Sequence, residues 1–275
     1  MDCWQTLAGR PYGPVTVQPV TFQKEDLITI RAELHLHTVL SPCASIEMIP
    51  PLIISEALNK NIDLIAVTDH NAIGNIEAVI EAAEGTGITI IPGVELQTRE
   101  DIHSLCLFDT FAKIEEFYNE ILPTFPDIKN NAEFFGEQFI VDATGEFIKR
   151  EKRLLITASS LSLKEALIKV RKFNGILIPA HVNRTTFGLL PVLGMLPTDI
   201  DLPILELSRH MSFTEAISAY PQLAKCKLIH GGDAHMLDEI RGWNQFTVYK
   251  PLISELISAL YEQDGRFYKS LRNKT

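Results

Sequence analysis

The sequence predicts an α/β protein built as a barrel or a doubly wound sheet. Three observations carry that reading. Short, near-continuously apolar runs alternate with helical periodicity from residue 30 onward. Such runs read as strands buried on both faces, as in parallel sheets. Histidines and carboxylates then fall at the ends of those runs, where α/β proteins build their sites. No glycine-rich phosphate loop follows the first strand, so dinucleotide-binding and P-loop readings have no support.

The elements follow in order. Residues 1–29 carry Pro11, Pro14 and Pro19, which break any regular element, and read as an N-terminal arm on a main domain of residues 30–275. Residues 30–35 form the first strand. A helix spans 49–59, with Pro50 and Pro51 tolerated in its first turn. Residues 64–68 are a buried strand, 73–83 a helix, and 88–91 and 105–108 two further strands. Between about 122 and 160 the chain is more polar, and two strand-like runs flank Thr144-Gly145. This reads as a β-hairpin insertion, acting either as a lid or as a structural flap. A helix over 163–173 opens on a capping box, Ser162 with Glu165, and Gly175 is placed at its C-terminal end. Strands at 176–180, 204–207 and 228–231 and a helix over 214–220 complete the pattern.

The chain has 275 residues, 46% hydrophobic and 22% charged, with a net charge of −10. That composition is globular. The negative balance argues against long nucleic acid and anionic membranes as partners, since both favour a basic face. No run reaches 18 apolar residues, and no leader pattern opens the sequence, so a cytoplasmic protein with no membrane contact is expected. The cysteines Cys3, Cys43, Cys106 and Cys226 are scattered, which fits a reducing compartment. Oligomeric state is not legible.

Six of the eight histidines lie at or beside strand ends. His35 and His37 close the first strand, and His70 follows the second. Glu95 follows the third, His103 begins the fourth, and His181 closes the strand before it. Asp233 and His235 close the last. Residues i and i+2 on a strand point to one face, so His35 with His37, and Asp233 with His235, can each grip an ion from one side. Imidazoles mixed with carboxylates suit Zn²⁺, Mn²⁺ or Fe²⁺. The candidates exceed the needs of one tetrahedral ion, which implies two or three, with Glu95 able to bridge a pair. His210 reads as a loop residue and His230 as a core residue.

The ordered set Glu33-Leu34-His35-Leu36-His37-Thr38, Thr68-Asp69-His70, Gly93-Val94-Glu95, His103, Ala180-His181-Val182-Asn183-Arg184 and Gly232-Asp233-Ala234-His235 resembles the PHP (polymerase and histidinol phosphatase) superfamily of metal-dependent phosphoesterases. The resemblance implies a distorted barrel of about seven parallel strands with a trinuclear metal site at their C-terminal ends. It implies that His35, His37, Glu95 and Asp233 hold one ion, and Glu95, His103 and His181 a second. His70 and His235 would hold the third, with a ligand from the loop after His37. The family often has His or Asp there, and this chain has Cys43. A thiolate would complete the site and favour zinc, while the alternative is a small loop residue. Glu33 stands for a common Asp, and Val182 for a common Pro.

The expected activity is hydrolysis of a small phosphomonoester, such as a nucleotide or a histidinol-phosphate-like metabolite, by a metal-bridging hydroxide. Glu95, Asp233 and His181 are the candidate catalytic residues. Arg184 is the candidate phosphate clamp, against a surface ion pair, and Arg209 a second one. The alternatives are a 3′-end exonuclease or oligonucleotide phosphodiesterase, and a metal-binding regulatory module without chemistry.

Overall fold

The computed structural model describes residues 26–272. The arm expected over 1–29 lies outside the described residues as far as residue 25. Strand β1 (Ile28–Leu36) leads through helix α1 (Pro50–Asn59) to β2 (Leu64–Val67), then through α2 (Ile76–Ala82) to β3 (Thr89–Gln97) and β4 (His103–Leu107). Helix α3 (Phe111–Ile121) opens the insertion, which holds α4 (Ala132–Phe135) and the hairpin strands β5 (Phe139–Val141) and β6 (Phe147–Arg150). Then come α5 (Leu163–Lys172), β7 (Ile176–Pro179), α6 (Leu189–Leu193), β8 (Ile204–Ser208), α7 (Phe213–Ala219) and β9 (Lys227–Gly231). The chain ends with β10 (Asn244–Val248), α8 (Ile253–Leu260) and β11 (Phe267–Ser270).

Seven strands form one curled sheet in the order β11-β10-β1-β2-β3-β4-β7, and β8 pairs with β9. The curl nearly closes. Past the end of β7, Val182 N–H donates to the Glu206 carbonyl of β8. Past the end of β9, Ala234 exchanges backbone hydrogen bonds with His35 and His37. The α/β barrel class expected from the sequence is therefore the one observed. The strand directions differ from expectation. β1, β2 and β3 are parallel, as are β8 and β9, but β4 runs antiparallel to both β3 and β7, and β10 is antiparallel to β1. The cause is β3, which continues to Gln97 rather than stopping near residue 91. Residues 98–102 are too few for a crossover, so the chain must fold straight back.

Two apolar layers hold the sheet. Ile65 and Val67 of β2 pack with Ile53 and Ala57 of α1, Val79 of α2, Phe117 of α3 and Val170 of α5. The opposite parity, Leu64 and Ala66, packs with Ala32 and Leu34, Leu105 and Ile178, and with Leu256 of α8. A strand buried on both faces needs this unbroken apolar run. The Ser162–Glu165 capping box is present at α5. At its other end Asn174, not Gly175, takes the left-handed conformation, with φ 60°. Gly175 is needed instead because a Cβ there would stand 2.4 Å from the ring of Phe108.

Candidate metal centre

The strand ends bring eight predicted side chains to one buried cluster. Glu95 is its hub. Its Oε1 lies 3.0 Å from His103 Nδ1, 3.1 Å from His181 Nε2 and 3.3 Å from His35 Nε2. Its Oε2 lies 2.9 Å from His70 Nδ1 and 3.5 Å from His37 Nε2. Asp233 Oδ1 is 3.4 Å from Nε2 of both His35 and His37. His235 stacks on His37 with ring centroids 4.1 Å apart. Three groups have ligand atoms mutually within 4.8 Å: His35, His37, Glu95 and Asp233; His70, Glu95 and His103; and His37, His70 and His235. His181 joins through Glu95, and Cys43 stands at the rim, close enough to His70 and His235 to be influenced by them, without belonging to the last group.

The backbone holds unusual conformations to achieve this. His181 and Asp233 have φ of 30° and 46°. Such conformations cost free energy and persist where surrounding structure enforces them, which is typical of functional sites.

Tautomers are fixed from behind. Nδ1 of His35 is 3.0 Å from Glu206 Oε1, and that oxygen also accepts the His181 backbone N–H. Nδ1 of His37 meets Ser41 Oγ at 2.9 Å, and Ser41 donates onward to Asp69. Each Nδ1 is thus a donor to the group behind it, which aims each Nε2 into the cluster. Yet the two Nε2 atoms face one another at 3.2 Å. Two ring nitrogens at that distance, beside two carboxylates, need a cation among them: a proton on His35, whose pKa burial lowers but Glu206, Glu95 and Asp233 raise well above its usual value, or a metal ion in its place. Glu95 Oε2 is also buried without a properly directed hydrogen bond. The donor set fits divalent metal ions.

The same contacts set the charges of the cluster. Burial raises the Glu95 carboxyl pKa, but His103, His35 and His70 outweigh it and hold the group well below its usual range. Asp233 is held low against burial, chiefly by His35. Burial, then His235 and His70, push His37 well down. His70, opposed by burial, is raised to about 10 by Glu95 and Cys43. Burial raises the Cys43 thiol, but His235 and His70 bring it down to about 6.

Arg184 stands at the mouth, 46% exposed, with Nη1 2.7 Å from Asp233 Oδ2. Arg209 bonds the Gly232 carbonyl and Glu239 and so props the loop before Asp233. The mouth is a cleft of about 590 Å³ running from Cys43 past Arg184 to Arg209 and His210. His230 lies apart, between Ser270 Oγ and the Met211 carbonyl.

The sequence reading missed the supports. Glu206, Ser41 and Asp69 orient cluster side chains, and Phe187 stacks on His103 at 4.3 Å. Glu206 had one signal, a lone charge inside an apolar strand, which must have a buried partner.

The PHP domain family profile matches residues 33–169. No curated protein sequence matches the chain. Among solved structures, the lesion-specific endonuclease from Pyrococcus furiosus superposes with a TM-score of 0.67 at 18% identity, over 88% of this chain and 58% of that one. Endonuclease Q in complex with a 27-mer duplex substrate, an abasic lesion at its active site, gives 0.67 and 18%, over 87% and 58%. A two-domain Bacteroides vulgatus protein, described as containing a predicted PHP-like metal-dependent phosphoesterase, gives 0.50 and 16%, over 89% and 65%. The chain thus spans less than two thirds of the length of each. At these identities the likeness shows the fold.

The duplex-bound relative corrects one expectation, that long nucleic acid is disfavoured as a partner. The net charge of −10 sums the whole chain, including the acidic groups of the cluster, whereas a polyanion meets only the local surface. Among the described residues no helix is long and apolar enough to cross a membrane. With a PHP profile over its first barrel half and PHP proteins among those that share its fold, the chain belongs to the PHP family.

Proposed function

We propose that this protein is a metal-dependent phosphoesterase. The observation that carries the reading is the convergence of His35, His37, Glu95 and Asp233, whose ligand atoms all lie within 4.8 Å of one another. In this reading His35, His37, Glu95 and Asp233 hold one divalent ion, and Glu95, His103 and His181 a second. His70 and His235 hold a third with Cys43, a set that favours zinc there and zinc, manganese or iron elsewhere. Bound ions supply Lewis-acid polarisation of a phosphoryl oxygen and lower the pKa of water. Glu206 and Ser41 keep the two imidazoles aimed inward. Arg184, freed from Asp233 by an incoming phosphate, offers it a planar fork of donors. Arg209 acts indirectly, through the loop that carries Asp233.

Family members are mostly hydrolases of phosphoester bonds, which supports the reaction type. The reading takes in phosphomonoesters, the class favoured from the sequence, and phosphodiesters, which the duplex-bound relative brings in. The test is hydrolysis of p-nitrophenyl phosphate and bis(p-nitrophenyl) phosphate by protein supplied with Mn²⁺, Zn²⁺ or Fe²⁺. Turnover that a chelator abolishes is expected. Metal retained with no turnover on either ester would favour a binding module over an enzyme.

A further inference from the structure

A second cavity, of about 600 Å³, adjoins the mouth of the metal centre and shares Arg209, His210 and Glu239 with it. Its walls add Arg31, Arg241 and Arg272. Four guanidiniums thus face one cavity against two carboxylates, Asp238 and Glu239, in a chain whose net charge is −10. The roles of the four differ. Arg31 is spent on the carbonyls of Gly242, Lys60 and Arg241. Arg209 is spent on Gly232 and Glu239. Arg272 uses Nε on the Arg209 carbonyl, which leaves its Nη atoms only a 4.0 Å contact with Glu215. Arg241 is exposed, and its side chain makes no hydrogen bond or ion pair among the described residues. Arg241 and Arg272 therefore present uncommitted donors to the cavity.

The other rim of the mouth has a different character. Cys43 stands there, and the carbonyl of its neighbour Pro42 lies against Gly136, where a Cβ would come within 2.3 Å of it. Two residues before Gly136, Phe134 is 78% exposed and packs edge-on against Phe135. The metal centre and the cationic cavity thus adjoin, and an aromatic pair whose Phe134 is exposed stands one and two residues from the Gly136 contact behind the Cys43 rim.

We infer that the Arg241–Arg272 cavity is a second phosphate subsite, and that the ligand spanning it and the metal centre is a single strand of nucleic acid. Repeated phosphates explain the cationic cavity, and bases explain the exposed phenylalanine, because proteins that hold single strands combine a positive groove with aromatic platforms. A lone phosphomonoester needs neither. The inference rests on the phosphoesterase reading only for what happens to the phosphate that reaches the cluster. Binding along the track is independent of it.

The test is fluorescence anisotropy of a fluorescein-labelled 20-nucleotide single strand with phosphorothioate links, titrated with the full-chain protein as purified. Binding that weakens with salt, with a slope of about −0.7 per phosphate neutralised, is expected. Arg241→Glu and Arg272→Glu should each weaken it about tenfold, and Phe134→Ala about fivefold. Melting temperatures check the fold. Should Arg272→Glu fail to fold, Arg272→Gln takes its place. Three results would overturn the inference: no binding by wild type, wild-type affinity in folded Arg241→Glu, or inorganic polyphosphate competing as well as unlabelled strand at equal phosphate. Loss of ester hydrolysis with arginine-dependent binding intact would sink the phosphoesterase reading and leave the subsite standing.

Discussion

Glu206 Oε1 accepts from two members of the cluster at once, the His35 imidazole and the His181 backbone, each at 3.0 Å. Gly231 makes room for it, since a Cβ there would stand 2.1 Å from the Glu206 carboxyl carbon. Gly232 does the same for Glu33, whose carboxyl accepts three backbone N–H groups and is pushed up to about 7 by burial. Orienting groups of this kind typically set metal affinity by 10- to 100-fold. Glu206→Gln is therefore expected to weaken metal retention by about that factor in a chelator competition, and unchanged retention would remove Glu206 from the site. Arg184→Ala should lower kcat/KM for p-nitrophenyl phosphate by about 10- to 100-fold, the worth of one charged hydrogen-bonding group. Unaltered kinetics would return Arg184 to a surface ion pair with Asp233. The cluster residues were legible because His35 and His37, and Asp233 and His235, stand two apart at strand ends. Glu206 was not, because its partners lie 25 and 171 residues away, and no local spacing encodes such a contact.

At the scale of elements, a strand's composition does not record its direction. The run from His103 to Leu107 would be buried either way, and only the length of the connection before it decides. Helix α3 was not anticipated although it is eleven residues long, and neither was the hairpin formed by β10 and β11, whose strands are short and whose outer strand is partly exposed. The insertion hairpin was legible from Thr144-Gly145, but its anchor was not. Asn75 Nδ2 donates to Thr38 Oγ1 and the Phe139 carbonyl, and its Oδ1 accepts the Val141 N–H, tying the hairpin to the loop after His37. Asn75→Ala leaves these groups unpaired, at a cost of about 2–4 kcal/mol. Thermal unfolding and faster proteolysis within residues 122–160 would show it.

Strand β9 carries a pH dependence of its own. Burial depresses the His230 imidazole below its ordinary value. A histidine neutral in the fold but protonated when unfolded contributes stability that is present above the unfolded pKa of about 6.5. That contribution is lost as pH falls from there toward the depressed folded value, with a slope of at most about 1.4 kcal/mol per pH unit. Urea unfolding between pH 7 and pH 5 should show the loss, and His230→Gln should reduce the slope by up to one proton.

Across the whole molecule, a curled sheet converges its strand ends on Glu95, and the PHP pattern read from the sequence is the one-dimensional trace of that convergence. Net charge, a sum over all residues, misled where the distribution mattered. It averaged an anionic metal centre with a neighbouring cationic cavity and reported neither. The account depends most on the cluster holding ions, and elemental analysis of the purified protein tests this directly. Two to three equivalents of zinc, manganese or iron per chain are predicted, with at least one lost in His35→Ala and in Asp233→Asn. A folded wild-type protein that retains no divalent metal when supplied with all three, or variants that retain as much as wild type, would contradict it.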